Sequence, residues 1–144
     1  EKGINICIGT DGSASNNSLN MLSEVKLASL LTKGLAKNGS VLNAFEALEM
    51  ATINAAKALG MANQIGSLEK NKYADIVAIN VNKIGSSPLF NPESQLVSKG
   101  GQNTVTDVWV HGKRLVKNCE LNTLDVSNII NKAKLWENLI KETI

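Results

Sequence analysis

Aromatic residues are scarce in this chain: Phe, Trp and Tyr together make up 3% of its 144 residues, and the formal charge is only +2. A reader of single-stranded nucleic acid needs stacking rings inside a basic groove, so no nucleic-acid partner is expected. Cysteine is limited to Cys7 and Cys119, in unrelated contexts and without CxxC spacing, which argues for reduced thiols in a cytoplasmic protein. No apolar run approaches the roughly 18–20 residues of a transmembrane helix, so no membrane partner is expected either. Histidine occurs once, at His111, and proline only at Pro88 and Pro92. There is no internal repeat and no low-complexity tract. What remains is 43% hydrophobic, enough for one ordinary core and unlike a disordered composition.

The feature with most chemical content stands at the start. Ile4, Ile6 and Ile8 alternate with Asn5 and Cys7, and Gly9, Thr10, Asp11 and Gly12 follow. This reads as a short buried strand over 4–9 that ends in a carboxylate, then a polar loop over 11–18, then a helix: a βα unit whose tip faces an active site. Asn17 or Ser18 is placed to cap that helix, on which Leu19, Leu22, Val25, Ala28, Leu31 and Leu35 recur at helical spacing. From local physics alone Asp11 is equally an Asp-Gly turn residue tying off a strand end.

Further along, Ser40 can restart a helix carrying Leu42, Phe45, Leu48 and Ala51, which stops at Gly60. After Gly66 the pattern becomes extended. Leu68 ends a short strand, and the run Ala74–Ile79 reads as a strand covered on both faces. Pro88 and Pro92 forbid a central strand nearby, so 82–103 reads as a long loop with at most a short turn or helix. Residues 105–110 and 114–116 form a hairpin around His111, Gly112 and Lys113. A terminal helix from about Val126, capped by Asp125 or Ser127, gathers Val126, Ile129, Ile130, Ala133, Trp136 and Ile140 on one face. His111, in a hairpin turn without a second ligand, reads as a surface residue.

The stretch GTDGSASNNSLNM (residues 9–21) resembles the last-strand motif of one branch of the amidohydrolase superfamily, the methylthioadenosine/S-adenosylhomocysteine deaminases and their aminohydrolase and chlorohydrolase relatives. ALEMATINAAKALGM (47–61) is similar to that branch's segment after the last barrel helix, IGSLEKNKYADIVAI (65–79) to the return into its small β domain, and VTDVWVHGKRLV (105–116) to the terminal hairpin of that domain. The first motif is the more specific; the last two are superfamily-wide. A family member carries seven earlier barrel strands and an HxH pair upstream, which this chain lacks, so the resemblance implies its C-terminal third or so.

The resemblance implies an α/β fold: a βα unit of a TIM barrel over 1–62, C-terminal strands of a small β-sandwich domain over 63–122, and a terminal helix over 123–144. It implies zinc or another divalent metal in the full-length parent, with Asp11 as both metal contact and base, a purine nucleoside-type substrate, and a loop of Ser15, Asn16 and Asn17 that touches substrate or holds Asp11. Local loop and cap bonding is the competing reading of those three. Since a lone carboxylate does not hold zinc, the isolated chain is expected to bind no metal and to show no turnover. Alternatives are a chlorohydrolase, a guanine deaminase or another aminohydrolase of the branch, or a non-catalytic module pairing with another chain. Bare strand edges and apolar helix faces predict self-association, pairing with the missing N-terminal part, or partial disorder of the first twenty residues.

Overall fold

A computed structural model describes residues 3–102 and 104–143. Glu1 and Lys2, Asn103 and Ile144, which fall in the expected start, loop and terminal segments, lie outside the described residues.

Three helices gather the core. Helix α1 (Met21–Ala36) starts at Asn20, whose side chain accepts from the amides of Leu22 and Ser23, and ends at Lys37 in the left-handed region, φ 48°. Helix α2 (Ala44–Ala51) opens with a reciprocal cap: Asn43 accepts from the Glu46 amide while the Glu46 carboxylate accepts from the Asn43 amide. The short α3 (Ile53–Ala58) follows, and Gly60 at φ 70° turns the chain away. Helix α4 (Pro92–Lys99) is capped by Asn91 with proline at its first position, where the missing N–H is no loss. Helix α1 packs on α2 and α4. Val25, Ala47 and Val97 close the contact, ringed by Ile8, Met21, Leu42 and Leu48. Gly66, at φ 92°, lets the chain recross α3 because a Cβ there would stand 2.7 Å from that of Ala56.

The second half forms an antiparallel sheet in the order β1-β2-β3-β4, from β1 (Ile76–Asn80), β2 (Thr104–Val110), β3 (Lys113–Lys117) and β4 (Glu120–Leu121). His111 and Gly112, at φ 51° and 75°, make the two-residue turn between β2 and β3, the positive pair that a hairpin twist favours. Asp75 fixes that tip by accepting from the His111 amide at 2.6 Å, and the rings of Tyr73 and His111 meet at a tilt of 43° with centroids 4.1 Å apart. Helix α5 (Val126–Thr143) is capped by Asp125, which accepts from the Asn128 amide, and its side chains through residue 142 are all exposed.

Several expectations are corrected. Residues 4–9 are not a buried strand: they join no ladder among the described residues, and Ile4 and Ile6 are 71% and 58% exposed. An extended segment becomes a strand only beside a partner. Among the described residues this one is tied by the Ile8 amide to the Met50 carbonyl and the Asn5 side chain to the Asn54 carbonyl, with Ile8 packed against the core. Leu68 ends no strand. Strand β1 is not covered on both faces, since Val77 is 55% exposed. The segment 82–103 contains α4 and two 3-10 turns, Ile84–Ser86 and Gly100–Gln102, more than the one short turn or helix expected in a long loop. The cap of α1 is Asn20, not Asn17 or Ser18, and the restart cap is Asn43, not Ser40.

Candidate functional site

Asp11 stands where the extended segment meets the polar loop. Its φ of 59° is left-handed, a conformation that Asp tolerates better than most side chains because its short carboxylate bonds locally. Here Oδ1 accepts from the Gly12 amide at 2.7 Å. The residue is exposed, and among the described residues the ion pairs are Lys72–Glu69, Arg114–Asp107 and Lys141–Glu137, so Asp11 enters none of them.

The loop behind it is closed by its own backbone. The amides of Ser15 and Asn16 both donate to the Gly12 carbonyl at 3.0 Å. Asn16 is the hub. Its Oδ1 accepts from the Ser18 amide and hydroxyl, both at 3.1 Å, and from the Leu19 amide at 3.3 Å. Its Nδ2 donates to Glu24 Oε1 at 2.8 Å, and Glu24 lies in the first turn of α1, where a carboxylate suits the helix dipole. Leu19 and Met21 line an open cleft of about 330 Å³ whose far wall is Val77, Val105 and Val108 of the sheet.

The expected site residues therefore separate. Asp11, Ser15 and Asn17 are exposed, whereas Asn16 is half-buried and saturated with local bonds. Glu24, which sequence reasoning passes over as a site neighbour, completes the network, and its own amide donates to the Asn20 carbonyl at 3.2 Å. The signal was present in an acid one turn into a helix that follows the motif. His111 lies at the hairpin tip, exposed, as read from sequence. Among the described residues no group of three His, Cys, Asp or Glu side chains converges to hold a metal ion. An exposed carboxylate outside any ion pair, such as that of Asp11, has the chemistry of one oxygen donor to a divalent metal.

The sheet holds a carboxylate of the opposite kind. Asp107 on β2 is 14% exposed and accepts from Nε of Arg114 at 3.1 Å and from its Nη2, closing an ion pair. It also accepts from the Asn118 amide at 3.2 Å. Hydrogen bonding from Arg114, helped by Thr106 and Asn118, outweighs desolvation and holds the Asp107 carboxyl below the usual aspartate range. The Arg114 guanidinium lies over Trp109, 5.1 Å from the ring centroid. Glu69 is lowered too, by its bonds to Ser67 and Lys72, on an exposed turn. No described helix is long and apolar enough to cross a membrane.

Comparison with known proteins places these features. Residues 1–115 match the model of the amidohydrolase family. The 5-methylthioadenosine/S-adenosylhomocysteine deaminase of Saccharophagus degradans is 49% identical over 134 residues, covering 93% of this chain and 30% of the relative. The deaminase of that name from Thermoanaerobacter pseudethanolicus is 43% identical over 142 residues, 98% of this chain and 33% of its own length. Among solved structures, an adenosine deaminase from Xanthomonas campestris with bound zinc superposes with a TM-score of 0.91 at 39% identity, over 96% of this chain and 32% of that one. The zinc complex of the atrazine chlorohydrolase from Arthrobacter aurescens gives 0.81 at 29% identity, over 92% and 30%. The chain thus spans about a third of the length of the relatives it matches. With the match running from the first residue through the β2–β3 hairpin, the chain belongs to the amidohydrolase family.

Proposed function

We propose that this chain is the portion of a metal-dependent amidohydrolase that carries the carboxylate after its last barrel strand, and that the whole protein hydrolytically deaminates an adenosine-type substrate, methylthioadenosine or S-adenosylhomocysteine. The observation that carries this reading is Asp11, an exposed carboxylate outside any ion pair among the described residues, held at φ 59° on a hydrogen-bonded loop. The deaminase names of relatives at 49% and 43% identity support the substrate class.

In this reading Asp11 is one ligand of a zinc or other divalent ion, and segments outside the chain supply the others. The metal, when bound, lowers the pKa of a coordinated water to about 7. With Oδ1 held by the Gly12 amide, Oδ2 of Asp11 takes the proton of the attacking water and delivers it to the departing amine nitrogen. The neighbouring Ser15 and Asn17, both exposed, touch the ribose side of the substrate. Residues 1–62 belong to the barrel, 63–122 to the small β domain, and 123–144 to a terminal helix. The bare side chains of Ile4 and Ile6 pair with the rest of the barrel, so the 144-residue chain alone shows no turnover. Free, exposed thiols at Cys7 and Cys119 suit a cytoplasmic protein.

The test is ammonia release by the full-length protein from methylthioadenosine and S-adenosylhomocysteine, with Asp11→Asn as control. The proposal expects release from one or both, lost in the variant. A second reading, displacement of chloride from a triazine, draws on the chlorohydrolase at 29% identity. Chloride release without ammonia release would choose it.

A further inference from the structure

Four residues form a continuous chain of hydrogen bonds from the extended segment into helix α1. Asp11 Oδ1 accepts from the Gly12 amide at 2.7 Å, the Gly12 carbonyl accepts from the backbone N–H of Asn16 at 3.0 Å, and the Asn16 side chain, which fixes that backbone in place, donates to Glu24 Oε1 at 2.8 Å. The Asn16 amide group can face only one way here. Its oxygen is needed by the Ser18 and Leu19 amides, and its nitrogen by a carboxylate that can only accept. Both ends of one side chain are therefore spent, one on the loop and one on the helix. Glu24 is itself half-buried on a helix whose neighbouring residue, Val25, is fully buried in the core, so the anchor is rigid.

We infer that Asn16 and Glu24 are positioning residues for Asp11: Glu24 fixes Asn16, and Asn16 holds the Gly12 turn that sets the direction of the Asp11 carboxylate. This inference rests on the role proposed for Asp11 and deepens it. Asn16 touches neither substrate nor metal and acts through Gly12, whereas its neighbours Ser15 and Asn17 stay available for ligand. The acceptor at residue 24 matters rather than its charge, because the bond runs from a neutral amide.

The experiment compares Asn16→Ala, Asn16→Asp, Glu24→Ala and Glu24→Gln in the full-length protein by amide hydrogen exchange, by zinc titration and by kcat and KM. Asn16→Ala and Glu24→Ala should speed exchange over residues 12–19 while the amides of β2 and β3 keep their protection. They should also cost about 10- to 100-fold in zinc affinity or kcat, the usual loss when a partner behind a ligand is removed, with KM little changed. Asn16→Asp keeps the acceptor but sets a second carboxylate against Glu24, and should be at least as damaging. Glu24→Gln keeps the acceptor and should behave as wild type.

Unchanged exchange and zinc affinity in Asn16→Ala would overturn the inference, as would a Glu24→Gln variant as impaired as Glu24→Ala. Exchange that rises evenly across the chain would also overturn it, by making these bonds general supports of the fold. The exchange and zinc readouts need no turnover. A wild-type protein inactive on both nucleosides would therefore refute the proposed function and leave this inference to be decided by its own data.

Discussion

Asp11, in a loop before the first helix, and Asp107, in the middle of the inner strand β2, are aspartates built to opposite ends. Asp107 is 14% exposed, and its Oδ1 accepts from Arg114 and from the Asn118 amide, which ties β2 to β3. Asp11 is exposed, sits at φ 59° and takes one bond from its own neighbour's amide. A carboxylate whose charge is met by an arginine within the sheet serves the fold. A carboxylate whose backbone is fixed while its charge is unpaired is the form suited to chemistry.

The sharpest way to break this contrast is to neutralise each in turn in the full-length protein. Asp11→Asn should lower kcat by roughly 10²–10⁴-fold, the range for loss of a positioned acid–base group, and leave Tm unchanged. A Tm that falls with activity would make Asp11 the turn residue that local physics allows. Asp107→Asn should do the reverse: a lower Tm by calorimetry, with kcat retained by the protein that stays folded.

A smaller effect bounds the scaffold between them. Val25 is 0% exposed at the centre of the α1–α2–α4 contact, and Val25→Ala should cost roughly 2 kcal/mol in denaturant unfolding. A near-neutral result would mean that the loop is not carried by this core.

The smallest effect concerns pH. Hydrogen bonding from Arg114 depresses the Asp107 carboxyl below its ordinary value of 3.8, so its stabilisation is present in full above that pH and is lost as pH falls through the depressed value. The Tm difference between wild type and Asp107→Asn should therefore hold from neutral pH down to about 3.8 and shrink below it. A difference that persists unchanged in acid would assign it to packing instead.

The two carboxylates were not equally legible in the sequence. Asp11 stood out because an alternating apolar run, an Asp-Gly pair and a capped helix follow one another within a few residues. Asp107 passed unnoticed, since its partner is set by the register that pairs Trp109 with Arg114 and by the irregularity between Val108 and Trp109. The helices were read where periodicity was long, as in α1 and α5. Helix α4 was allowed for only as one short helix without a position, because Pro92 was weighed as a strand breaker, although Asn-Pro-Glu is also a helix start. The capping box of Asn43 and Glu46 and the cap at Asn20 were local signals of the same kind. At the start of α1, Asn20 accepts the bonds that Asn17 or Ser18 was expected to take, while Asn16 ties the loop before it, a competition that only coordinates resolve. The strand over 4–9 could not have been read correctly from its own residues, because a ladder is a property of two segments.

The central claim is that Asp11 is the chemically active carboxylate and Asp107 the structural one. The most direct test is ammonia release from methylthioadenosine by the full-length wild type, Asp11→Asn and Asp107→Asn, each assayed with zinc at a temperature where all three are folded. The account predicts turnover in wild type and Asp107→Asn and its loss in Asp11→Asn. Equal turnover in all three, or loss confined to Asp107→Asn, would contradict it.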